Sequence, residues 1–509
     1  MKKLLKLLLS RLVIVGILIL LQVAWLLVAF FHLSNYSVLI RIFFTALSIL
    51  VALWIINKRD NPAYKLAWIV PIMLVPLLGG LMYLAMGNKN PTRGMRWRLE
   101  RAGCRILHLV KQDEAVRDEI QAMNPHVAGQ ATYLEKCGFP IYKNSTAQYF
   151  PTGEDCYKVM ISELKKAKHY IFMEYFIVAD GVMWQGILDI LKQKVKEGVE
   201  VRFIYDDMGC VSLLPLHYYK QMEAIGIKCM AFNRFIPVFS LAMNNRDHRK
   251  ILVIDGHTAF SGGINLADEY INEIVRFGYW KDTAIMVRGE AVWNFTVMFL
   301  QTWNAFYKET DADFLPYKTD VHIKEEYVDG FIQPYGDSPL DDEVVGESVY
   351  LNIINQADRY VYIFTPYLII DNEMMTALCM AAKRGVDVRI VTPGIPDKKM
   401  IFMLTQSYYE QLLENGVRIF EYTPGFIHAK CFVADDIIAT VGTINLDYRS
   451  LYLHFECGVY MYRSKAVMDV KRDAIETIGH SREIMLKDTR TGFFKGLFQA
   501  VLRVFAPLL

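Results

Sequence analysis

The chain has 509 residues, a formal charge of +2 and 53% hydrophobic residues. That length exceeds one ordinary domain, and its apolar share is concentrated at the beginning, so a membrane region followed by two soluble units is expected. A charge this near zero gives no sign of general nucleic-acid affinity, and eight cysteines without CxxC or comparable spacing give no sign of a disulfide framework or a cysteine-held zinc site, so buried free thiols are expected.

Three apolar runs open the chain. Residues 12–31 have Gln22 as their only strongly polar member and match the roughly 20 residues that cross a bilayer as a helix. Residues 42–56 form a second run, extending to Val38 if Arg41 snorkels, and residues 66–86 a third, kinked by Pro71 and Pro76. The first run is too long for a signal peptide and lacks a small-x-small cleavage site. Lys2, Lys3, Lys6 and Arg11 precede it, Lys58, Arg59 and Lys65 separate the second and third runs, and Arg93, Arg96, Arg98, Arg101 and Arg105 follow. Two crossings, with one run in the interface or re-entrant, put these charges on one side and leave the soluble part cytoplasmic.

Downstream, a strand in residues 167–177, an amphipathic helix in 183–196 and a strand in 197–207 recur as 357–369, 374–383 and 384–394. This strand–helix–strand order builds a mainly parallel α/β sheet. Each set precedes a copy of one pattern: "HRKILVIDGHTAFSGGIN" (248–265) and "HAKCFVADDIIATVGTIN" (428–445). They align without a gap, matching His248, Lys250, Asp255, Gly262 and Asn265 with His428, Lys430, Asp435, Gly442 and Asn445. Two copies of five fixed residue types make chance a poor explanation. Alternation in "KILVID" and "KCFVAD" predicts strands that carry His and Lys on one face. Gly262–Gly263 and Gly442–Thr443 then let the chain turn so that each Asn returns toward the same point. Residues 321–343, rich in Pro, Gly and acidic side chains, read as a connection, part of which could form a strand. At the end, "GFFKGLFQAVLRVFAPLL" spaces its apolar residues by three and four, predicting an amphipathic helix for a membrane interface or for docking on the core.

Two facing histidines can divide nucleophilic attack and general acid catalysis at phosphorus. The lysines supply charge to non-bridging oxygens and the asparagines donate hydrogen bonds, which suits a phosphodiester and requires no metal or other cofactor. One proton shared by the pair predicts a pH optimum with two limbs. Asp255 and Asp435 either orient the imidazoles or tie down local backbone.

H-x-K-x4-D-x6-G-G/S/T-x-N in two copies resembles the phospholipase D superfamily. Within it, the apolar N-terminus, "GGINLADEY", "GYWKDT" and "GTINLDYRSLYLHFE" resemble the bacterial cardiolipin synthases. The resemblance implies two duplicated phospholipase D-like sandwich units sharing one active site, preceded by N-terminal transmembrane helices. Boundaries follow at 1–105 (membrane region), 106–310 (first unit), 311–345 (linker), 346–485 (second unit) and 486–509 (C-terminal helix). It implies phosphatidyl transfer between two phosphatidylglycerol molecules through a phosphohistidine, in a multi-pass protein of the bacterial cell membrane acting on anionic phospholipids. The alternative is a membrane-bound phospholipase D yielding phosphatidic acid. Catalysis falls to His248, Lys250, Asp255, His428, Lys430 and Asp435, phosphate binding to Asn265 and Asn445, and outer support to Glu269 and Glu456. His454 stands where "LNFE" is usual, and a hydrogen-bonded supporting histidine is expected there. Which histidine attacks, and the oligomeric state, stay open at this level.

Overall fold

The strands ahead of and within the motifs use their alternation to bury both faces. Phe172, Ile251 and Val253 point into one core, while Ile171, Met173, Leu252 and Ile254 point into another. Burial on both sides is why these strands read as nearly continuous apolar runs. The computed structural model describes residues 38–75, 93–104, 109–234, 245–311, 313–321, 323–340 and 343–508, with isolated positions at 21, 24, 28, 79, 80, 82, 83 and 87.

Two sheets share one strand order. The first runs Ser145–Phe150, Ala284–Gly289, Thr258–Gly262, Ile251–Ile254, Tyr170–Tyr175, Glu200–Asp206, Lys228–Phe232. The second runs Phe331–Asp337, Glu456–Tyr462, Ile438–Gly442, Cys431–Ala434, Tyr360–Phe364, Asp387–Pro393, Arg418–Tyr422, with Ser481–Ile484 added at the edge. The duplication inferred from the motifs thus extends to the whole sheet. The expectation of a mainly parallel sheet needs correction. In the first sheet Tyr170–Tyr175, Glu200–Asp206 and Lys228–Phe232 are parallel, but the motif strands are antiparallel. They are joined by a tight turn, with no crossover helix between them to reverse direction.

One continuous core joins the facing sides of both sheets with helices Val292–Phe306 and Lys465–Gly479. Helices Gly153–Lys166 and Val182–Lys196 cover the outer face of the first sheet, and Val345–Gln356 and Asn372–Lys383 that of the second. Phe331–Asp337, inside the segment expected as a linker, is the outer strand of the second sheet and pairs with Glu456–Tyr462. Helices Glu114–Met123 and Pro125–Lys136, expected within the first unit, place Ile120, Val127, Ala131 and Leu134 in the second unit's core. Sequence proximity assigned them to one unit; packing assigns them to the other.

Of the apolar runs, 12–31 lies almost wholly outside the described residues, as does part of 66–86. Helix Val38–Asn57 packs on Pro62–Leu74 through Val51, Ile55, Trp68 and Ile72. Among the described residues no helix is long and apolar enough to cross a membrane. In Val38–Asn57 the stretch beyond Arg41 and before Asn57 is residues 42–56, short of the roughly 20 required. This end is fastened to the second unit: Asn61 Nδ2 donates to Asp371 Oδ2 at 3.0 Å and to the Tyr452 hydroxyl at 2.8 Å. The C-terminal helix, Phe493–Phe505, docks on the core through buried Leu502 and Gln499, the latter donating to the Met403 carbonyl at 2.9 Å. Phe493 and Phe494 remain 77% and 85% exposed.

Candidate active site

The His and Lys of each motif lie just before its first strand, Ile251–Ile254 or Cys431–Ala434, and not on it as expected, and that strand then forms a hairpin. The turn of the first hairpin is Asp255–Gly256, with φ of 51° and 66°, and that of the second is Asp435–Asp436, with φ of 54° and 68°. Two successive residues at positive φ make the tight reversal that right-twisted strands favour, and Asp tolerates it through local hydrogen bonding. The Asp255 carboxylate accepts from the backbone amides of Lys168, His169 and Tyr170 at 2.7–2.8 Å. Asp435 does the same for Asp358, Arg359 and Tyr360 at 2.7–3.0 Å. The motif aspartates therefore clamp the turn to the neighbouring strand. Of the two roles open to them in the sequence, the structure shows the backbone one and brings neither carboxylate to the imidazole of His248 or His428.

The imidazoles take their carboxylates from the opposite unit. His248 Nδ1 lies 2.9 Å from both oxygens of Glu456, and His428 Nδ1 lies 2.6 Å from Asp282 Oδ2. Backbone bonds fix this exchange: His248 N–H donates to the Phe455 carbonyl at 2.9 Å and His428 N–H to the Lys281 carbonyl at 2.7 Å. Each histidine is thus bonded to the residue just before its carboxylate. Asp282 and Glu456 are equivalent positions, each two residues ahead of the sheet partner of a motif glycine, Ala284 for Gly262 and Gly458 for Gly442. Of the two glutamates expected as outer support, Glu456 meets an imidazole, whereas Glu269 pairs with Arg276 at 3.1 Å. Asp282 was hidden because it follows Asn265 by 17 residues, whereas Glu456 follows Asn445 by 11.

Gly263 makes room for this exchange. A Cβ there would stand 1.9 Å from Asp282 Oδ1. At the equivalent place in the second motif, Thr443 donates its hydroxyl to Glu456.

His248, His428, Lys250 and Lys430 are 7%, 8%, 1% and 1% exposed. Burial, then Lys250, Lys430 and His428, hold the His248 pKa well below the usual imidazole value. Burial and Lys430 lower His428 to about 4, against the opposing pull of Asp282. Burial lowers Lys250 to about 8 and Lys430 to about 7. Each motif feels the charges of the other, so the two copies form one electrostatic site. Lys250 Nζ donates to the His248 carbonyl at 2.6 Å; Lys430 Nζ donates to the His428 carbonyl and stands 2.9 Å from its Nδ1. Phe176 packs on His248 at 5.0 Å, and Tyr270 and Trp280 on His428 at 5.6 and 5.4 Å between ring centroids.

The asparagines differ. Asn265 Oδ1 accepts from the Ile177 amide at 3.0 Å and Nδ2 donates to the Tyr270 hydroxyl at 2.8 Å, so much of its amide is structural. Asn445 is 6% exposed with its Oδ1 unbonded, beside Asp447, whose carboxyl pKa burial raises against a smaller opposing pull from the Asn445 amide. His454 also departs from expectation. Neither ring nitrogen makes a hydrogen bond, and the ring packs 5.5 Å from that of His248.

The family model described as cardiolipin synthase, phospholipase D-like domain, matches residues 160–277 and 350–477. A phospholipase D-nuclease N-terminal model matches residues 46–88. An uncharacterized protein of Streptococcus mutans is 48% identical over 463 residues, covering 90% of this chain and 99% of that one. A cardiolipin synthase of Alkalihalophilus pseudofirmus is 33% identical over 478 residues, with 92% and 94% covered. One of Geobacillus kaustophilus is 33% identical over 465 residues, with 91% and 92% covered. The crystal structure of Haemophilus influenzae phosphatidylserine synthase shares the fold, at a TM-score of 0.56 and 14% identity over 76% of this chain and 98% of that one. With its paired motifs in one buried site and these relatives along most of its length, the chain belongs to the cardiolipin synthase family of phospholipase D-like proteins.

Proposed function

We propose that this chain is a cardiolipin synthase that transfers the phosphatidyl group of one phosphatidylglycerol to another, with release of glycerol. The carrying observation is the pair of buried imidazoles, each held at Nδ1 by a carboxylate of the other unit. A carboxylate only accepts, so Nδ1 carries the hydrogen and Nε2 is left for phosphorus or for a proton.

In this reading His248 Nε2, its imidazole held neutral by burial and the neighbouring lysines, attacks phosphorus. The bond to glycerol breaks as His428, protonated at Nε2 once the anionic phosphate sits between the imidazoles, gives that oxygen its proton, leaving a phosphatidyl-histidine. His428 then takes the proton from a hydroxyl of the second phosphatidylglycerol, whose oxygen displaces His248 and forms cardiolipin. Lys250 and Lys430 balance charge on the non-bridging oxygens. Asn445 and the remaining amide hydrogen of Asn265 bind the phosphate. Asp282 and Glu456 orient the rings, while Asp255 and Asp435 act on the backbone alone. Aromatic walls around both imidazoles support the preference for a lipid hydroxyl over water.

The soluble part divides into a first unit from Ser145–Phe150 to Val292–Phe306 and a second from Phe331–Asp337 to Ser481–Ile484. Two of the three apolar N-terminal runs cross the bacterial cell membrane, with the short run 42–56 in the interface and the catalytic part cytoplasmic. The exposed phenylalanines of the C-terminal helix support contact with the same lipid surface.

The test is the purified protein in vesicles of phosphatidylglycerol alone, with lipid products and glycerol followed by mass beside His428→Ala. Cardiolipin with matching glycerol, lost in the variant, is expected. Phosphatidic acid as main product overturns the synthase reading in favour of hydrolysis.

A further inference from the structure

His454 is a buried titratable side chain that the proposed chemistry leaves unused. It is 9% exposed, and neither ring nitrogen has a hydrogen-bond partner. Buried polar atoms are normally satisfied, so an imidazole orphaned at both nitrogens points to a ligand. Its Nδ1 stands 3.7 Å from Glu456 Oε1, beyond hydrogen-bond reach, and its ring faces His248. One donor atom from each of His248, His454 and Glu456 falls within 4.8 Å of the others. Ligand atoms around tetrahedral zinc stand roughly 3.4 Å apart, so the three side chains would have to draw together on binding. Among the described residues no other three His, Cys, Asp or Glu side chains meet in this way.

We propose that His248, His454 and Glu456 form an inhibitory site for a borderline divalent cation such as Zn2+. Two imidazoles and one carboxylate make a zinc-type donor set, whereas Ca2+ and Mg2+ prefer oxygen ligands alone. Binding would occupy a nitrogen of His248 and draw Glu456 away from His248 Nδ1, removing both the nucleophile and its support. Lys250, Lys430 and Arg449 place positive charge around the same imidazoles. That charge opposes a dication, so the site suits a reversible inhibitor better than a resident cofactor.

The experiment uses the full-length protein in phosphatidylglycerol vesicles with chelator-buffered Zn2+, reading metal stoichiometry and transfer together. About one Zn2+ per chain, released by chelator, is expected, with transfer falling in proportion to occupancy. Co2+ in its place should give visible bands of nitrogen and oxygen ligation without a near-ultraviolet thiolate band. His454→Asn should weaken Zn2+ binding by about tenfold or more. His428→Ala, outside the three ligands, should bind Zn2+ as the unaltered protein does while transferring nothing. Absence of bound Zn2+ at micromolar free concentration, a thiolate band, or unchanged binding in folded His454→Asn overturns the proposal. Should His454→Asn not fold, His248→Asn takes its place, and unchanged binding there overturns the proposal equally. The binding measurements stand without the transferase reading; only the inhibition arm rests on it.

Discussion

His248 is oriented by a carboxylate from the other half of the chain: both oxygens of Glu456 lie 2.9 Å from its Nδ1. Asp282 returns the arrangement to His428. Neither His248 nor His428 takes its carboxylate from its own unit, so the pairing at either histidine requires both units to be docked.

Asp282→Asn should therefore cost about 10²–10⁴-fold in transfer rate, the range for losing effective general acid–base catalysis. The amide can present its NH2 to Nδ1 and stabilise the wrong tautomer. Initial rates of cardiolipin formation, with circular dichroism confirming the fold, provide the check. An unchanged rate would remove Asp282 from any part in catalysis.

Asp255→Asn and Asp435→Asn should behave differently. Each weakens charge-assisted bonds to three backbone amides at a turn with positive φ, costing about 1–3 kcal/mol of stability. The expected signature is a lower melting temperature with transfer per folded molecule retained. A full loss of rate in a stably folded variant would contradict the clamp.

Gly263→Ala should imitate Asp282→Asn. The new methyl would stand 1.9 Å from Asp282 Oδ1 and displace it from His428. Gly442→Ala meets backbone instead, the Cys457 carbonyl at 2.5 Å, so lost stability should accompany its lost rate. Paired melting and rate measurements separate the two.

Rate and stability should move oppositely with pH. Burial lowers Lys430 to about 7 and Lys250 to about 8 from an ordinary 10.5. From about pH 7 to 10.5 the unfolded chain holds more protons at these lysines, so this contribution to stability rises with pH. Over the same interval the lysines lose the charge that receives phosphate, so kcat/KM should fall on its alkaline limb. Melting temperature and kcat/KM followed across pH 6 to 10 test this; parallel trends would assign the alkaline limb to other groups.

Replacing Phe493 and Phe494 by Ser should weaken binding to anionic vesicles by about tenfold or more, from the apolar area they would bury. Activity on micelle-dispersed substrate should persist, since Leu502 and Gln499, which dock the helix, remain. Vesicle co-sedimentation beside a micelle assay checks both.

The sequence by itself determined what depends on local spacing. The two His–x–Lys copies, the alternating motif strands and the helices between them are written in short periods, and the structure returns them nearly at the expected residues. Tertiary structure decided what depends on contacts across the chain. The imidazole partners lie 208 and 146 positions away, on strands whose meeting is set by docking two sheets through one core. Docking likewise moved the helices at 114–136 to the second unit and left both ring nitrogens of His454 without a hydrogen bond. Asp255 and Asp435 show the boundary most clearly. Their fixed place in the motif was legible, but a carboxylate can orient an imidazole or hold a turn, and only the folded backbone brings three amides to each.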